Sequence, residues 1–310
     1  MSETAAQTTE VLQVDCRTCG AELVFEEHLR SKNCPYCASP NIVERPASPD
    51  RPTPALAVGF GVDRERAGEI ARRWLKSRGP FAHSGLGEGK VEEMRGIYLP
   101  AYLYSASASA AYRAEIGEEY TVTETYTDAN GKTQTRIKTK TEWRTLHGTR
   151  DSWESEILVS ASKGLPNSEL EAVEPFDLRT LRRYAPGVIA GWLSEDPSID
   201  PETCLVGARQ ETLERLEDEV YHFLPGDSQR SVDVRVSLEE EEIELALLPI
   251  WVLAVRFAED REPLRLIING QTGRTTGKVP LSAIKIMLAV FLVVGAITLF
   301  ALWKSSGVMR

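Results

Sequence analysis

The spacing of hydrophobic positions changes along the chain, and each change predicts a different element. Residues 64–75 carry apolar side chains at helical spacing, and Asp63 stands before them as a suitable N-cap. Residues 202–224 repeat this spacing and end at Pro225-Gly226. Alternating or aromatic-rich segments predict strands between and after these helices, at 58–62, 96–112, 120–127, 132–144, 231–238, 243–257 and 263–269.

Two features organise the predicted strands. Threonine-rich runs at 120–127 and 132–144 flank a turn containing Asn130-Gly131, which indicates a hairpin with an acidic first arm and a basic second arm. Residues 98–104 and 247–253 share a Leu-Pro-x-aromatic pattern. We interpret them as parts of two related α+β halves, about 56–165 and 200–280. Pro100 and Pro249 should then lie at a strand start, edge or bulge, because proline donates no ladder hydrogen bond.

Four of the five cysteines form two CxxC pairs, separated by fourteen residues. Two such turns can bring four thiolates to one ion, so Cys16, Cys19, Cys34 and Cys37 are predicted to bind a structural Zn²⁺ in a closed tetrahedral shell. A rubredoxin-like iron site and a thioredoxin-like redox pair are the alternatives. The rubredoxin knuckles lie farther apart and enclose more aromatic residues, and two adjacent pairs favour one shared metal over redox chemistry.

A second region has a composition unlike the rest of the chain. Residues 286–303 contain no charged side chain, and with the preceding residues they predict one transmembrane helix over 281–303 with a short tail at 304–310. Lys285 can snorkel, and Trp303 with Lys304 provides an interfacial anchor. Flanking positive charges are too balanced to set the topology. The polar first ten residues and the reduced cysteines predict a single-pass protein of the cytoplasmic membrane whose N-terminal domains lie in the cytoplasm.

The predicted fold class is therefore α+β. The predicted segments, in order, are a disordered leader (1–10), a zinc ribbon (11–45), a Pro-rich linker (46–55), a cytoplasmic α+β domain with antiparallel sheets (56–280), and the membrane helix and tail. The net charge is −10, and residues 11–45 contain five acidic and four basic residues. A nucleic-acid ribbon normally has a basic face, so this balance favours protein contact.

The order of these motifs resembles one bacterial family of membrane-anchored zinc-ribbon proteins. The resemblance covers nearly the whole chain. It rests on the cysteine ribbon, the Pro-rich spacer, Tyr98–Tyr104, the segment Leu170–Leu178, Leu247–Val252, and Asn269–Gly273 before the terminal helix. Members of that family often carry a label of primosomal protein N′ (replication factor Y) or superfamily II helicase-like protein. They are encoded near flotillin-like and phage-shock-type membrane-stress proteins, which implies a recruiting or scaffolding role and protein partners of those types.

The residues themselves provide no recognised catalytic arrangement, and we predict that the protein is not an enzyme. The four histidines lack a nucleophile or HExxH context. Gly270–Lys278 lacks the P-loop spacing, so it is interpreted as a turn, and Cys204 as a small core residue. The predicted function is an adaptor or scaffold that binds partner proteins at the membrane, with no small-molecule substrate. The alternative is a membrane-tethered, replication-associated ribbon that binds nucleic acid.

Overall fold

The computed structural model describes residues 11–26, 33–37, 39–40, 42–45, 52–127 and 132–305, and they form a mixed α+β structure. Short 3-10 helices lie at Ser84–Glu88, Leu178–Thr180 and Pro186–Val188. The strands and α-helices of these residues are, in order, β1 (Val11–Cys16), β2 (Glu22–Glu26), β3 (Ile42–Arg45), β4 (Leu56–Ala57), α1 (Arg64–Lys76), β5 (Lys90–Thr127), β6 (Thr133–Ser160), α2 (Asn167–Glu171), β7 (Arg182–Arg183), β8 (Leu193–Asp196), α3 (Pro201–Phe223), β9 (Ser228–Arg256), β10 (Leu264–Asn269), β11 (Thr275–Gly277) and α4 (Ala283–Ser305).

The strands form a large sheet in which antiparallel pairs predominate. Its order is β11-β10-β9-β5-β8-β2-β1-β3, with β6 paired to β5, and β4 paired to both β7 and β9. The β5–β8 and β4–β9 pairs are parallel. Strand β8 pairs with β2 on one side and β5 on the other, so the strands β1, β2 and β3 near the cysteines continue the main sheet. The α+β prediction with antiparallel sheets is confirmed at this level.

The chain divides into two compact units, which interleave along the sequence. The first contains residues 1–101, 160–199 and 245–310, and the second contains 102–159 and 200–244. Each unit therefore contains residues from both predicted halves, 56–165 and 200–280. The prediction that these halves are duplicates stays a prediction. The predicted leader (1–10), most of the Pro-rich linker (46–51), the hairpin turn (128–131) and the tail from 306 lie outside the described residues.

The core of the first unit lies between α1 and the strands β9 and β10. Asp63 caps α1 by accepting a hydrogen bond from the Arg66 amide at 2.7 Å, as its sequence position predicts. The buried face of the helix packs against apolar strand residues, and Trp251 donates its indole N–H to the Val62 carbonyl at 2.8 Å. The predicted core face of α1 is confirmed, because the buried set includes Ala67, Ala71, Trp74 and Leu75, with Ile70 packed beside them.

The second unit contains α3, nearly all of β6, the part of β5 from Tyr102 onward and the part of β9 up to Glu244. The buried side of α3 repeats strictly every four residues and consists of Cys204, Ala208, Thr212, Leu216 and Val220. The helical spacing of residues 202–224 predicts Leu205, Leu213 and Phe223 on the apolar side. This prediction is partly wrong, because Leu205 and Leu213 are only half-buried and Phe223 is exposed, whereas Thr212 is buried. The Thr212 hydroxyl donates to the Ala208 carbonyl at 2.7 Å, and this hydrogen bond makes a polar side chain tolerable inside.

Charged pairs stabilise the predicted hairpin and also Glu241 on β9. Arg136 lies 3.1 Å from Glu124, and Arg144 lies 2.7 Å from Glu118, so opposite charges do face each other between the two arms. The four glutamates at 239–242 predict a solvated loop and strand entry, but these residues continue β9. Glu241 receives two hydrogen bonds from Arg209 and one from the Tyr104 hydroxyl, and the Arg209 contact holds its carboxyl pKa below the usual range.

Several predicted strand boundaries were wrong. The strand expected at 58–62 does not form there, and the strand in this region is Leu56–Ala57. The amides of Gly61 and Val62 instead donate to the Gly270 carbonyl. Segments predicted as separate strands join into the long β5, β6 and β9. Pro249 lies inside β9, one residue beyond its ladder with β10, where its carbonyl accepts from Gly270 and no proline N–H is needed. Pro100 likewise lies inside β5, beyond the residues that pair with β8.

Asn269 at the end of β10 holds two distant segments together. Its side-chain amide donates to the carbonyls of Val173 and Pro175, at 3.0 and 3.2 Å. Its side-chain oxygen accepts from the amides of Gln271 and Thr272, both at 2.9 Å. The asparagine is fully buried. The residues directly after β10 therefore form a turn fixed by one side chain. The predicted turn over Gly270–Lys278 is only partly confirmed, because Thr275–Gly277 forms β11 and pairs with β10.

We expect the Asn269→Ala substitution to destabilise the protein by about 2–4 kcal/mol, because it leaves several buried backbone groups without partners. Gln210→Ala is the matched control, since the Gln210 side-chain amide donates to Glu214 on the exposed side of α3. Thermal unfolding of the full-length protein in detergent provides the measurement. Equal melting temperatures for the two variants would contradict the assigned role of Asn269.

Candidate metal centre

Two tight turns present the four predicted cysteines. In the first, β1 ends at Cys16, and the Gly20 amide donates back to the Cys16 carbonyl at 2.9 Å. Gly20 has a φ of +79°, a conformation that glycine adopts without steric cost. In the second, the Cys34 amide donates to the Ser39 carbonyl at 2.8 Å. The hydroxyls of Thr18 and Ser39 lie 2.8 Å apart and connect the two turns.

The four sulfur atoms converge on one point. The Sγ atoms of Cys16 and Cys37 are 3.5 Å apart, those of Cys19 and Cys34 are 3.6 Å apart, and all four lie within 4.8 Å of one another. Tetrahedral zinc with Zn–S bonds of about 2.3 Å requires sulfurs about 3.8 Å apart. A disulfide requires about 2.05 Å, and all four residues are free thiols. The arrangement can therefore hold a metal ion.

The electrostatics of the cluster favour a cation. The hydrogen bond from Cys34 lowers the pKa of the Cys19 thiol to about 5, whereas the same contact raises the pKa of Cys34 well above its usual value. Burial raises the pKa of Cys37 to about 11. Four adjacent thiols cannot all ionise without compensating positive charge, so a divalent ion would stabilise the thiolates that bind it.

A buried group of polar side chains fixes the second cysteine turn to the main sheet. Glu195 on β8 is 1% exposed and accepts hydrogen bonds from the hydroxyls of Tyr36 and Ser162, each at 2.6 Å. Burial raises the Glu195 pKa to about 8 and also raises the pKa of Tyr36. Because Tyr36 lies between Cys34 and Cys37, these bonds set the position of the metal-binding turn.

The loop after β6 covers the other side of Tyr36. Ser162 Oγ accepts from the amides of Gly164 and Leu165, at 2.9 and 3.1 Å. A β-carbon at Gly164 would lie 2.8 Å from the Ala21 side chain and 3.0 Å from the Tyr36 ring, so only glycine fits there without displacement. The metal-binding segment is thus packed against residues more than a hundred positions away in the sequence.

The structure brings together all four sequence-predicted ligands. Sequence reasoning missed Glu195, Ser162 and Gly164, because no local pattern connects them to the cysteines. The sequence also did not indicate the role of Tyr36. Cys204 lies apart from the cluster in the buried side of α3, where burial raises its pKa to about 11, as expected of a core thiol.

The C-terminal helix is the second candidate functional element. Over Ala283–Leu302 it is long and apolar enough to cross a membrane, and none of that stretch is buried against the rest of the described protein. Its large apolar side chains are exposed, including Phe291 at 75% and Leu299 at 69%. Such a surface requires a nonaqueous environment or a partner.

Comparison with known proteins provides one relative of limited similarity. The chain is 22% identical, over 234 residues, to a Bacillus subtilis (strain 168) protein described as uncharacterized protein YdjG. The matched region covers 75% of this chain and 65% of that protein, so the chain spans just under two thirds of the relative's length. No family model matches the chain, and no solved structure matches it.

We expect the Cys34→Ser substitution to abolish stoichiometric metal binding, because it removes one of four thiolates from a shell that has no spare ligand in the described cluster. Cys204→Ala is the matched control, since it removes a thiol that lies outside the cluster. Metal content per chain, measured by mass spectrometry on both purified variants, provides the test. A full complement of metal in the Cys34 variant would contradict the assigned ligand set.

Proposed function

We propose that this protein is a membrane-anchored zinc-ribbon adaptor that binds partner proteins at the cytoplasmic membrane and catalyses no reaction. The observation that carries the proposal is the combination of a closed four-sulfur cluster with an exposed apolar helix on one chain. The first suits a structural ion, and the second suits a lipid anchor. The proposal differs from the nucleic-acid alternative only in what the cytoplasmic part binds.

Zinc is the proposed ion. Thiolate ligands favour soft or borderline ions, and a tetrahedral set of four sulfurs is typical of structural zinc. Cys16 and Cys34 are buried at 2% and 0% exposure, whereas Cys19 and Cys37 are partly exposed. An ion saturated by four thiolates suits a role in folding, because the ribbon has little core of its own.

The membrane anchor is the second part of the proposal. The twenty residues Ala283–Leu302 extend for about 30 Å as an α-helix, which equals the thickness of a bilayer core. A cytoplasmic location for the rest of the chain is consistent with four reduced cysteines. The protein would then have a single span with its large N-terminal part in the cytoplasm.

A charged cleft beside the ribbon supports protein binding. The cleft has a volume of about 1050 Å³ and includes Cys37, Thr18 and Arg64 in its lining. Its carboxylates Glu92 and Glu93 pair with Arg256 and Arg95 respectively. This paired, mixed charge suits a polar polypeptide better than a polyanion, whose phosphates require unneutralised basic groups. The family resemblance in the sequence suggests flotillin-like or phage-shock-type membrane proteins as the first partners to test.

The anchor makes a clear prediction. Leu292→Lys combined with Val293→Asp places two charges near the helix centre, at a cost of about 5–7 kcal/mol for insertion. We expect the fraction that resists alkaline extraction from membranes to fall several-fold. Val206→Lys combined with Tyr221→Asp is the matched control, because both side chains are exposed on α3. If wild-type protein is itself removed by alkaline extraction, the proposed anchor is wrong.

The adaptor role predicts a partner whose capture depends on the ribbon. Native protein is cross-linked in membranes and purified in three forms: wild type, Cys34→Ser and Cys204→Ala. We expect one stoichiometric membrane protein with wild type and the Cys204 variant, and its loss with the Cys34 variant. Recovery of nucleic acid instead, with binding that weakens steeply as salt increases, would favour the alternative and overturn the adaptor role.

A further inference from the structure

The root of α4 is bonded to the loop that follows α1, and this junction has the properties of a lipid-binding surface. Ala82 pairs with Leu281 in an isolated antiparallel bridge. The Ser282 amide donates to the Phe81 carbonyl, and the His83 amide donates to the Pro280 carbonyl, both at 2.8 Å. Two backbone segments therefore lie side by side, about 4.8 Å apart, where the helix begins.

Lys285 strengthens this junction. A lysine in the first turn of a helix is disfavoured by the helix dipole. Here its ammonium donates to the Ala82 carbonyl at 2.8 Å, so the charge is used to hold the loop against the helix. With this bond, the loop and the helix root are connected by three hydrogen bonds, two of which form the bridge. The loop cannot leave the helix root without breaking all of them.

The exposed side chains at this junction are apolar and aromatic. Phe81 is 44% exposed, Leu281 is 58% exposed and Ile284 is 75% exposed. Phe81 belongs to the loop, whereas Leu281 and Ile284 lie on either side of the first residue of α4. Exposed aromatic and aliphatic groups at such a position are typical of the bilayer interface, where the ring contacts acyl chains and the backbone stays hydrated.

Basic residues precede both segments of the junction in the sequence. Lys76 is the last residue of α1, and Arg78 follows it two positions later, directly before the loop. The Arg78 guanidinium lies 4.1 Å over the Trp74 ring, which holds this side chain in place. Lys278 lies three residues before Leu281 and is exposed. Positive charge next to exposed apolar groups suits a surface of anionic lipid headgroups.

We propose that Gly79–His83, with Lys76, Arg78 and Lys278, is a second membrane-binding surface that contacts anionic lipid beside the root of α4. This proposal rests on α4 spanning the membrane. The occupant is the bilayer itself, because the loop is bonded to the first residues of the helix that enters it. The surface fixes the orientation of the first unit on the membrane, so that unit is not free to rotate on a flexible tether.

The test places a photo-reactive group on the loop of the full-length protein. Phe81→benzoylphenylalanine and, as a matched control, Tyr221→benzoylphenylalanine are reconstituted in vesicles of phosphatidylcholine alone or mixed with phosphatidylglycerol. Tyr221 is an aromatic residue of similar exposure, 49%, in the second unit. We expect lipid adducts at position 81 several-fold above those at position 221, with a further increase when phosphatidylglycerol is present. Circular dichroism and metal content verify that both variants fold.

Three outcomes decide the proposal. Equal adduct yields at the two positions, in protein that resists alkaline extraction, overturn the second surface and leave the anchor intact. Protein that alkaline extraction removes overturns the anchor, and with it the basis of this inference. Adding Lys76→Glu and Lys278→Glu to the position-81 probe should abolish the increase with phosphatidylglycerol. An increase that persists overturns the role given to the basic residues.

Discussion

The fold near the N-terminus depends on one constraint: four sulfur atoms must share a space that suits a single ion. The strands β1, β2 and β3 are short, and they enclose too little apolar surface to be stable by themselves. The four Sγ atoms of the two cysteine turns lie within 4.8 Å of one another. Ionising the thiols in that space requires a cation, so metal binding and local folding are expected to be a single equilibrium.

This constraint extends into the rest of the first unit through β8. That strand pairs with β2 of the ribbon and β5 of the main sheet, and all four of its residues are buried. Glu195 on β8 binds Tyr36, which lies between two of the cysteines. The ribbon is therefore part of the sheet.

The motifs that carry the family resemblance have structural explanations within the first unit. Asn269 joins the turn after β10 to the segment at Val173–Pro175, and Gln271 donates to the Asp177 carbonyl and the Thr180 hydroxyl. Gly270 lies against the Phe60 ring, where a β-carbon would approach to 2.7 Å. These residues stabilise the fold through these contacts. Their recurrence in a family would indicate a shared architecture.

The sequence by itself determined the features that depend on short stretches of chain. Each CxxC turn, the capped helix α1 and the apolar helix α4 follow from local spacing and composition, and the structure has all of them. The face of α3 was only partly predictable, because the elements packed against a helix decide which of its sides is buried. The hydrogen bond from Thr212 to the Ala208 carbonyl is available within any helix and only makes the burial of Thr212 tolerable.

Tertiary structure alone decided which distant groups meet. Nothing in the spacing of residues 16–37 indicates that Glu195, Ser162 and Gly164 hold the cysteine turns, or that Ala82 pairs with Leu281 at the helix root. The lengths of β5, β6 and β9 were decided in the same way. The physical reason is that a hydrogen bond or close contact between distant segments depends on how the whole chain folds, whereas turns and helices are selected largely by neighbouring residues.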